Sequence, residues 1–161
     1  ALKDSDGTLK GYSKLTRDIT DKKKAEDQLK QSEDRFRTLA NSIPQLAWIA
    51  DPSGDIYWYN NRWYDYTGTD LSLMKGWGWT KVHHPEYIDP VTFRWKDHLA
   101  AGKEWEDVFP LKGKDGNFRW FLSRAIPLRN NDGMITTWFG TNTDIEDQKK
   151  SREELAYALK L

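Results

Sequence analysis

Three histidines are the residues best suited to catalysis or metal binding, and their spacing favours neither. His83 and His84 are adjacent, Glu86 follows them, and His98 stands apart. Adjacent histidines rarely converge on one ion without further ligands, so the sequence predicts no metal site. Because His84 precedes Pro85, a local structural role is favoured for it. His98 lies near the end of a predicted helix, where capping or solvent exposure is favoured over haem ligation.

Other motifs that carry chemistry are missing from the sequence. The chain has no cysteine, which excludes disulfides, a thiolate metal site, a cysteine nucleophile and a flavin–cysteine adduct. The glycine-rich segment 76–79 lacks the strand–turn–helix context and the Lys-Ser/Thr pair of a phosphate-binding loop. Neither a Gly-x-Ser-x-Gly motif nor a phosphoacceptor histidine box is present. We therefore expect no catalytic residues, no enzymatic activity and no cofactor.

Charge and hydropathy disfavour two classes of partner. The 161 residues include 25 Lys and Arg and 25 Asp and Glu, so the formal net charge is zero. A balanced charge disfavours nucleic acid as a partner. No apolar run approaches the ~18 residues that suggest a bilayer span, so no membrane insertion is expected. The first residue is Ala1 rather than Met, which favours an excised piece of a longer protein. A cytoplasmic location is expected.

The aromatic content is high. Nine Trp, seven Tyr and six Phe accompany only two Met. Each ring buries a large area, so a domain of about 100 residues has enough apolar surface to close a core. Core packing is the favoured interpretation, and a ligand cage is the alternative.

One internal repeat organises the chain. Asp6-Gly7 matches Asp132-Gly133, and Asp18-Ile19 matches Asp144-Ile145 at the same offset without a gap. An offset of about one domain length indicates tandem copies of one domain. The predicted segments are a strand remnant of a preceding copy at 1–17, a linker helix at 18–43, a complete domain at 44–143 and the start of an output helix at 144–161.

The linker segment 18–43 lacks Gly and Pro until Pro44, which predicts a helix that ends at the proline. Its apolar and small residues alternate between spacings of three and four, the heptad pattern of a coiled coil. The predicted seam is Ala25, Leu29, Phe36, Leu39 and Ile43, with Ser32 among them. A parallel homodimer through this seam is favoured, and docking of the helix on its own domain is the alternative.

Strand and turn signals give the order of elements in the central domain. Short helices and loops are expected at 61–84, and a helix at 85–101 that Gly102 ends. Strands are predicted at 46–50, 56–60, 105–111, 118–128 and 134–141.

A set of short motifs follows one order and spacing through nearly the whole chain. They are Ile43-Pro44, Asp51 to Gly54, Asn60, Trp63, Tyr66-Thr67-Gly68, Gly76, Trp79, His84-Pro85, Asp115-Gly116, Arg119-Trp120, Pro127, Gly133, Gly140-Thr141 and Thr143-Asp144-Ile145. In this order they resemble the PAS family, specifically the PAS and C-terminal PAC motifs of bacterial sensor histidine kinases.

The resemblance implies an α+β fold. Five antiparallel strands in the order 2-1-5-4-3 are expected, with short helices on one face and linker helices at both ends. The space between sheet and helices can hold a small ligand in this family. Asp144-Ile145-Glu146 stands where the family usually has Asp-Ile-Thr and departs at the third residue. Pro110 cannot donate a backbone hydrogen bond, so its strand is expected at an edge or with a bulge.

Family position also implies the site residues. The outer sheet face is expected to join the linker seam in a homodimer. Asp144 is expected to be the N-cap of the output helix. Signal transfer is expected at Asp144 and Ile145, with Arg119 and Arg124 as the available ion-pair partners of Asp144. The expected ligand pocket is Trp48, Tyr66, Trp79, Phe93, Leu111, Trp120 and Trp138.

Two functions of different class remain open. The first is a non-catalytic sensory and signal-relay module in two-component signal transduction, with neighbouring PAS and kinase-type domains in a parent histidine kinase or diguanylate cyclase. The second is a sensor that binds a small ligand or cofactor in its core. The abundance of rings predicts a filled core and therefore favours the first.

Overall fold

A computed structural model of the chain describes residues 11–161, with side chains described from residue 15 onward. The chain divides into two units at residue 40. The strand remnant expected at 1–17 lies outside the described residues up to residue 10. From Gly11 onward the backbone is helical, so the expectation of a strand is wrong for 11–17.

Helix α1 spans Gly11–Ser42 and begins earlier than the predicted start at residue 18. No Gly or Pro interrupts the sequence between Gly11 and Pro44, so nothing stops the helix from extending in the N-terminal direction. It ends just before Pro44, because a proline disfavours helical geometry in the residue that precedes it. None of the described helices is long and apolar enough to cross a bilayer.

The second unit is built on one antiparallel sheet. Its strands are ordered β2-β1-β5-β4-β3, which confirms the expected topology. The strands are β1 (Leu46–Ala50), β2 (Ile56–Tyr59), β3 (Trp105–Lys112), β4 (Phe118–Arg129) and β5 (Ile135–Asp144). Pro110 lies in β3, an edge strand, where its missing N–H costs no ladder hydrogen bond.

Short helices connect β2 to β3, and one longer helix follows β5. Gly102 ends α4 at φ 63°, a left-handed conformation that glycine adopts without a Cβ clash. The helices are α2 (Asn61–Thr67), α3 (Leu71–Met74), a 3-10 helix (Gly78–Val82), α4 (Ile88–Ala101) and α5 (Glu146–Lys160).

The core between the sheet and these helices is largely aromatic. Trp95 of α4 lies at its centre, with ring centroids 5.6 Å from Trp48, 5.3 Å from Trp105 and 5.3 Å from Trp138, all in edge-to-face geometry. This arrangement places the positive edge of one ring on the negative face of the next. Rings from both layers therefore fill most of the space between the sheet and the helices.

The opposite face of the sheet is more open. Side chains alternate between faces along a strand, so Phe121 and Ala125 of β4 are buried in the core while Ile126 lies on the other face, 45% exposed. Val108 of β3 and Leu128 of β4 are also exposed there, at 41% and 46%. An apolar outer face thus runs across β3 and β4.

Candidate functional site

A small cavity lies between the sheet and the short helices. Its volume is about 30 Å³, and its wall includes the indoles of Trp48, Trp63, Trp79, Trp95 and Trp105. A buried water molecule needs at least about 10–15 Å³ measured in this way, so the cavity has room for about two waters. A haem or flavin does not fit in this space.

The sheet supplies hydrogen-bond acceptors for two of these indoles. Trp105 Nε1–H donates to Ser123 Oγ of β4 at 3.0 Å. Trp48 Nε1–H donates to Asn142 Oδ1 of β5 at 3.4 Å. Ser123 and Asn142 are both almost fully buried, so these polar residues of the sheet serve the core rather than solvent.

The helical side of the cavity is different. Among the described residues, the buried side-chain atoms without a hydrogen-bond partner are Nε1 of Trp63, Trp79 and Trp138 and Nδ1 of His83. Three of these four residues, Trp63, Trp79 and His83, line the cavity. Buried polar atoms without a partner are rare in folded proteins, so three residues that carry such atoms distinguish the lining of this cavity.

His83 is held among rings between the 3-10 helix and β3. Its imidazole centroid lies 5.1 Å from Trp79 and 4.6 Å from Phe109, and its backbone forms a bridge with Leu111. Burial disfavours the charged form and lowers the pKa of His83 to about 3. The side chain is therefore neutral at physiological pH.

This burial predicts a pH dependence of stability. Below the ordinary histidine pKa of 6.5 the unfolded chain takes up a proton that folded His83 does not, until the pH approaches about 3. The free energy of unfolding should therefore fall by up to about 1.4 kcal/mol per pH unit as the pH drops from 6.5 to 5. Urea titrations across this range should lose that slope in His83→Phe and keep it in His84→Phe. A wild-type free energy of unfolding that is flat from pH 6.5 to 5 contradicts the prediction.

A second group of contacts lies where the sheet joins α5. Asp144, the last residue of β5, accepts a hydrogen bond from Arg119 Nε of β4 at 2.7 Å. Its other oxygen, Oδ1, accepts the backbone N–H of Glu146, the first residue of α5, at 2.9 Å. One carboxylate therefore contacts the neighbouring strand and the start of the exiting helix.

Trp120 of β4 binds the same helix start through its backbone and its ring. Its N–H donates to Glu146 Oε2 at 2.8 Å, and its carbonyl accepts the N–H of Ile145 at 2.8 Å. Lys149 Nζ lies 4.8 Å from the centroid of the Trp120 ring, a cation–π contact. We name the group formed by Arg119, Trp120, Asp144, Glu146 and Lys149 the β4–α5 junction.

The junction contains residues that the sequence did not single out. Glu146 was noted only as a departure from Asp-Ile-Thr, yet its carboxylate accepts the Trp120 N–H and its side chain is 14% exposed. Asp144 was expected as the N-cap of α5, and this is wrong, because Ile145 holds that position. Arg119 is the Arg that pairs with Asp144, whereas Arg124 pairs with Glu106 at 3.5 Å.

The residues expected around the ligand pocket lie in different parts of the domain. Trp48 and Trp79 line the cavity. Leu111 and Trp138 are fully buried in the core, outside the cavity wall. Tyr66 packs on Phe121, and its hydroxyl donates to the Leu111 carbonyl at 2.6 Å.

Two of the expected pocket residues are misplaced. Phe93 is 68% exposed, because Val91 and Trp95 of the same helix face the core and the residue between them points away. Trp120 lies on the face of β4 opposite Phe121, where its ring contacts Tyr87 at 5.4 Å between centroids. Neither residue contributes to the cavity wall.

The predicted seam lies on α1 except at its end. Ala25 and Leu29 are exposed, Leu29 at 61%, and Phe36 and Leu39 are 38% and 66% exposed. Ile43 lies just beyond the helix. Leu15 and Ile19 add further exposed apolar positions nearer the start of α1.

The sheet order, the short helices over one face and the aromatic core around a small cavity define an α+β domain of the sensory type that the sequence resembles. Residues 55–142 match the family model for the PAS fold. The chain belongs to the PAS fold family.

Relatives and solved structures agree with this assignment. The chain is 37% identical over 138 residues to the uncharacterized protein y4lL of Sinorhizobium fredii, covering 86% of the chain and 17% of that protein. It is 31% identical to the peroxide stress-activated histidine kinase mak1 of Schizosaccharomyces pombe, covering 96% of the chain and 10% of that kinase. The chain therefore spans a small part of the curated relatives it matches.

One solved structure with the same fold is a PAS domain from Colwellia psychrerythraea, with a TM-score of 0.59 and 18% identity over 71% of this chain and 97% of that one. Another is a sensory box histidine kinase/response regulator from Burkholderia thailandensis, with a TM-score of 0.57 and 22% identity over 78% of this chain and 95% of that one. These likenesses concern the fold.

Proposed function

We propose that this chain is a non-catalytic sensory and relay module of a multidomain signalling protein, in which α5 carries the signal away from the sheet. The observation that carries the proposal is the β4–α5 junction. Asp144 joins Arg119 of the sheet to the first backbone N–H of α5, and Trp120 holds the same helix start from β4. A displacement of β4 against β5 changes these contacts and hence the direction of α5. A relative named as a histidine kinase supports a kinase-type output in the parent.

The segment boundaries of the parent follow from the same proposal. We propose a cytoplasmic array in which residues 18–43 link a preceding PAS copy to the domain at 44–143, and residues from 144 begin the output helix. The paired Asp-Ile motifs at 18–19 and 144–145 support this arrangement through their offset of about one domain length, although Asp18 and Ile19 lie within α1 and not at its start. Limited proteolysis of the parent should release a stable fragment that contains 44–143.

The role of Asp144 can be tested by substitution. In the full-length parent, Asp144→Ala should change output and weaken its response to stimulus, because both contacts of the carboxylate are lost. In the isolated chain the helix start should fray, with amide exchange in the first turn of α5 faster by about fivefold, from a capping loss of about 1 kcal/mol. Hydrogen-exchange mass spectrometry and a kinase assay measure the two effects.

Two further variants separate a relay role of Asp144 from the general effect of losing a carboxylate or its charge. Asp107→Ala is the control, since Asp107 Oδ2 accepts hydrogen bonds from Nε and Nη2 of Arg94 and its Oδ1 accepts a backbone N–H, away from α5. Asp144→Asn keeps an oxygen that accepts the Glu146 N–H but loses the charge that pairs with Arg119. If Asp144→Ala leaves output and response intact, Asp144 only stabilises the helix start and the relay role is wrong.

The module is also proposed to form a parallel homodimer through α1 and the outer sheet face. Leu29 is 61% exposed within a heptad pattern, and apolar residues repeated in this pattern are buried when two helices supercoil. Val108, Ile126 and Leu128 form the exposed apolar surface of the outer sheet face.

A non-catalytic role makes a direct prediction about ATP. Incubation of the purified chain with radiolabelled ATP should give no protein-bound phosphate, because no phosphoacceptor histidine box and no nucleotide-binding motif is present in its sequence. The matched control is the parent kinase under the same conditions. Stoichiometric labelling of the chain alone contradicts the proposal.

Small-ligand sensing is the second candidate function. The observation that favours it is the set of unpartnered nitrogen atoms around the cavity. Native mass spectrometry of the purified chain should show a retained molecule if this function holds.

A further inference from the structure

A cleft lies on the surface of the second unit, bordered by the end of α2, α3, the 3-10 helix and the turn from β3 to β4. Its volume is about 340 Å³, within the usual size range of small-molecule sites. It shares no lining residue with the aromatic cavity. The lining combines the buried side chains of Met74 and Val82 with the exposed side chains of Lys81, Lys112 and Lys114. We name it the lysine cleft.

The lysine cleft carries positive charge without compensation. Its lining includes Lys81, Lys112 and Lys114 but no Asp, Glu or Arg. None of the three lysines forms an ion pair with a carboxylate of the described residues. A cleft lined by charges of one sign attracts ions of the opposite sign and raises their local concentration. The lining therefore favours an anion as the occupant.

Two acids are adjacent in sequence to lining residues, and both are engaged in their own turns. Asp70 Oδ1 accepts the backbone N–H of Leu73 and the hydroxyl of Ser72. Asp115 accepts the backbone N–H of Asn117 through Oδ1 and its side-chain amide through Oδ2. Neither carboxylate pairs with a lysine of the cleft, so the fold leaves the three positive charges for a ligand to balance.

The antiparallel backbone bridge between His83 and Leu111 brings two of the lysines together. In an antiparallel pair, the residues before one partner lie beside the residues after the other. Lys81 precedes His83 by two residues and Lys112 directly follows Leu111, so both lie at the same end of the bridge. The backbone sets this proximity, and it does not depend on the conformation of either lysine side chain.

Contacts with α2 and α3 hold Lys114 and Lys81 at the cleft. The backbone N–H of Lys114 donates to the Tyr66 carbonyl at 2.7 Å. Lys114 Cβ lies 2.8 Å from the place that a Cβ on Gly68 would take, so the turn is packed directly on the end of α2. The Lys81 ammonium group donates to the Leu73 carbonyl at 3.4 Å. Separate segments of the chain therefore present their lysines to one cleft.

The hydroxyl groups of the cleft are already engaged with each other and with the backbone. Thr67 Oγ1–H donates to the Trp63 carbonyl at 2.8 Å, so Thr69 is the donor in the 2.7 Å contact between the two hydroxyls. The ammonium groups are therefore the side-chain donors left for an occupant. Lysine binds phosphate as a point charge, so charge rather than precise hydrogen-bond geometry selects the ligand.

We propose that the lysine cleft binds a small molecule that carries a diphosphate group. One phosphate monoester carries a charge of about −1.5 to −2 near neutral pH, so two linked phosphates approach the three positive charges of the lysines. Free diphosphate and a nucleoside diphosphate are the two sources of this group. Binding transfers no phosphate and does not involve the β4–α5 junction, so the site goes beyond the relay role and its failure leaves that role unaffected.

The test uses the whole ¹⁵N-labelled chain in a buffer without phosphate or divalent cations. Sodium diphosphate should give saturable shifts of the backbone amide signals of Gly68, Thr69, Gly113 and Lys114, whereas sodium chloride at the same ionic strength should not. Salt screens exposed charges, so the dissociation constant should rise several-fold as the salt concentration increases from about 0.05 to about 0.2 M. An affinity that does not change with salt contradicts the proposal.

Adenosine diphosphate distinguishes the two sources. Tighter binding than that of free diphosphate shows that the nucleoside contacts the cleft and assigns a nucleoside diphosphate. Equal or weaker binding assigns free diphosphate. Adenosine without phosphate is the control, and saturable shifts of the same amides by adenosine alone would overturn the proposal, because the phosphates would then not be what the cleft recognises.

A triple variant removes the positive charge of the cleft by Lys81→Gln, Lys112→Gln and Lys114→Gln. Each exposed charge pair corresponds to about a two- to fivefold change in affinity. The dissociation constant of the triple variant for diphosphate should therefore rise by roughly 10- to 100-fold. All three side chains are exposed, so the variant should fold like the wild-type chain.

The matched control carries Lys22→Gln, Lys24→Gln and Lys30→Gln on α1. It makes the same change in net charge at exposed positions outside the cleft, and it should bind diphosphate like the wild-type chain. Equal losses of affinity in the two triple variants would show that net charge alone attracts the ligand. The absence of any saturable shift in the wild-type chain would also show that the proposal is wrong, and this outcome needs no variant.

Discussion

Replacing Leu29 and Phe36 together by lysine should convert the proposed dimer into a monomer. A parallel coiled coil places both residues of each chain in the seam, so the double variant buries four ammonium groups without partners. Burial of an unpaired charge is strongly unfavourable, and the dimer dissociation constant should rise by at least about 1,000-fold. Sedimentation velocity measures the change in association. Circular dichroism of the variant chain should show that residues 41–161 stay folded.

The matched control adds the same charges elsewhere on α1. Gln31→Lys with Thr38→Lys places two lysines on exposed positions outside the seam, seven residues apart like the first pair. This variant should remain dimeric. If Leu29→Lys with Phe36→Lys is dimeric as well, the interface lies elsewhere, and Ile126→Lys on the outer face of β4 is the next substitution to examine.

The architecture was largely predictable from local signals. The observed β1 has the predicted bounds, and β2, β3, β4 and β5 differ from theirs by a few residues at their ends. Gly102 was recognised as the end of α4 because a left-handed residue there favours glycine. Turns and helix ends depend on residues close together in sequence, which is why the sequence revealed them.

It was harder to predict which face of a helix or strand points to the core. The spacing of Val91 and Trp95 along α4 excludes Phe93, which lies between them, from the core face of that helix. Trp120 is a different case, since apolar residues occupy both faces of β4 between Phe118 and Leu122. Without alternation, the sequence does not indicate which face points to the core.

The contacts of the site depend on register and packing between distant residues. Glu146 binds the N–H of Trp120 only because β4 pairs with β5 in a register that places Phe121 opposite Asp144. The missing acceptors of Trp63 and Trp79 are likewise a property of the packed core. No pattern in the sequence reports such three-dimensional neighbours.

Gly140→Ala should lower the free energy of unfolding of the domain by about 3 kcal/mol. Gly140 lies in β5 opposite Trp48 of β1, and a Cβ atom added at Gly140 would coincide with the six-membered ring of that indole. Trp48 is 5% exposed and is packed edge-to-face on Trp95, so it has no free space to move into. Overpacking of this kind in a close-packed core typically costs 1–3 kcal/mol, occasionally more. Urea unfolding followed by tryptophan fluorescence measures the loss.

Two controls separate the steric cost of Gly140→Ala from the backbone cost of replacing a glycine. Gly116→Ala is the control, because Gly116 has φ 83° and a Cβ there meets no atom within 4 Å. Its cost comes from the left-handed backbone alone and should be about 1 kcal/mol. Trp48→Ala removes the ring that Gly140→Ala would strike, so in that background the same alanine should cost less than about 1 kcal/mol, a coupling of at least about 2 kcal/mol. Equal costs of Gly140→Ala in the wild-type and Trp48→Ala backgrounds would show that the close approach of Trp48 is not what requires glycine at this position.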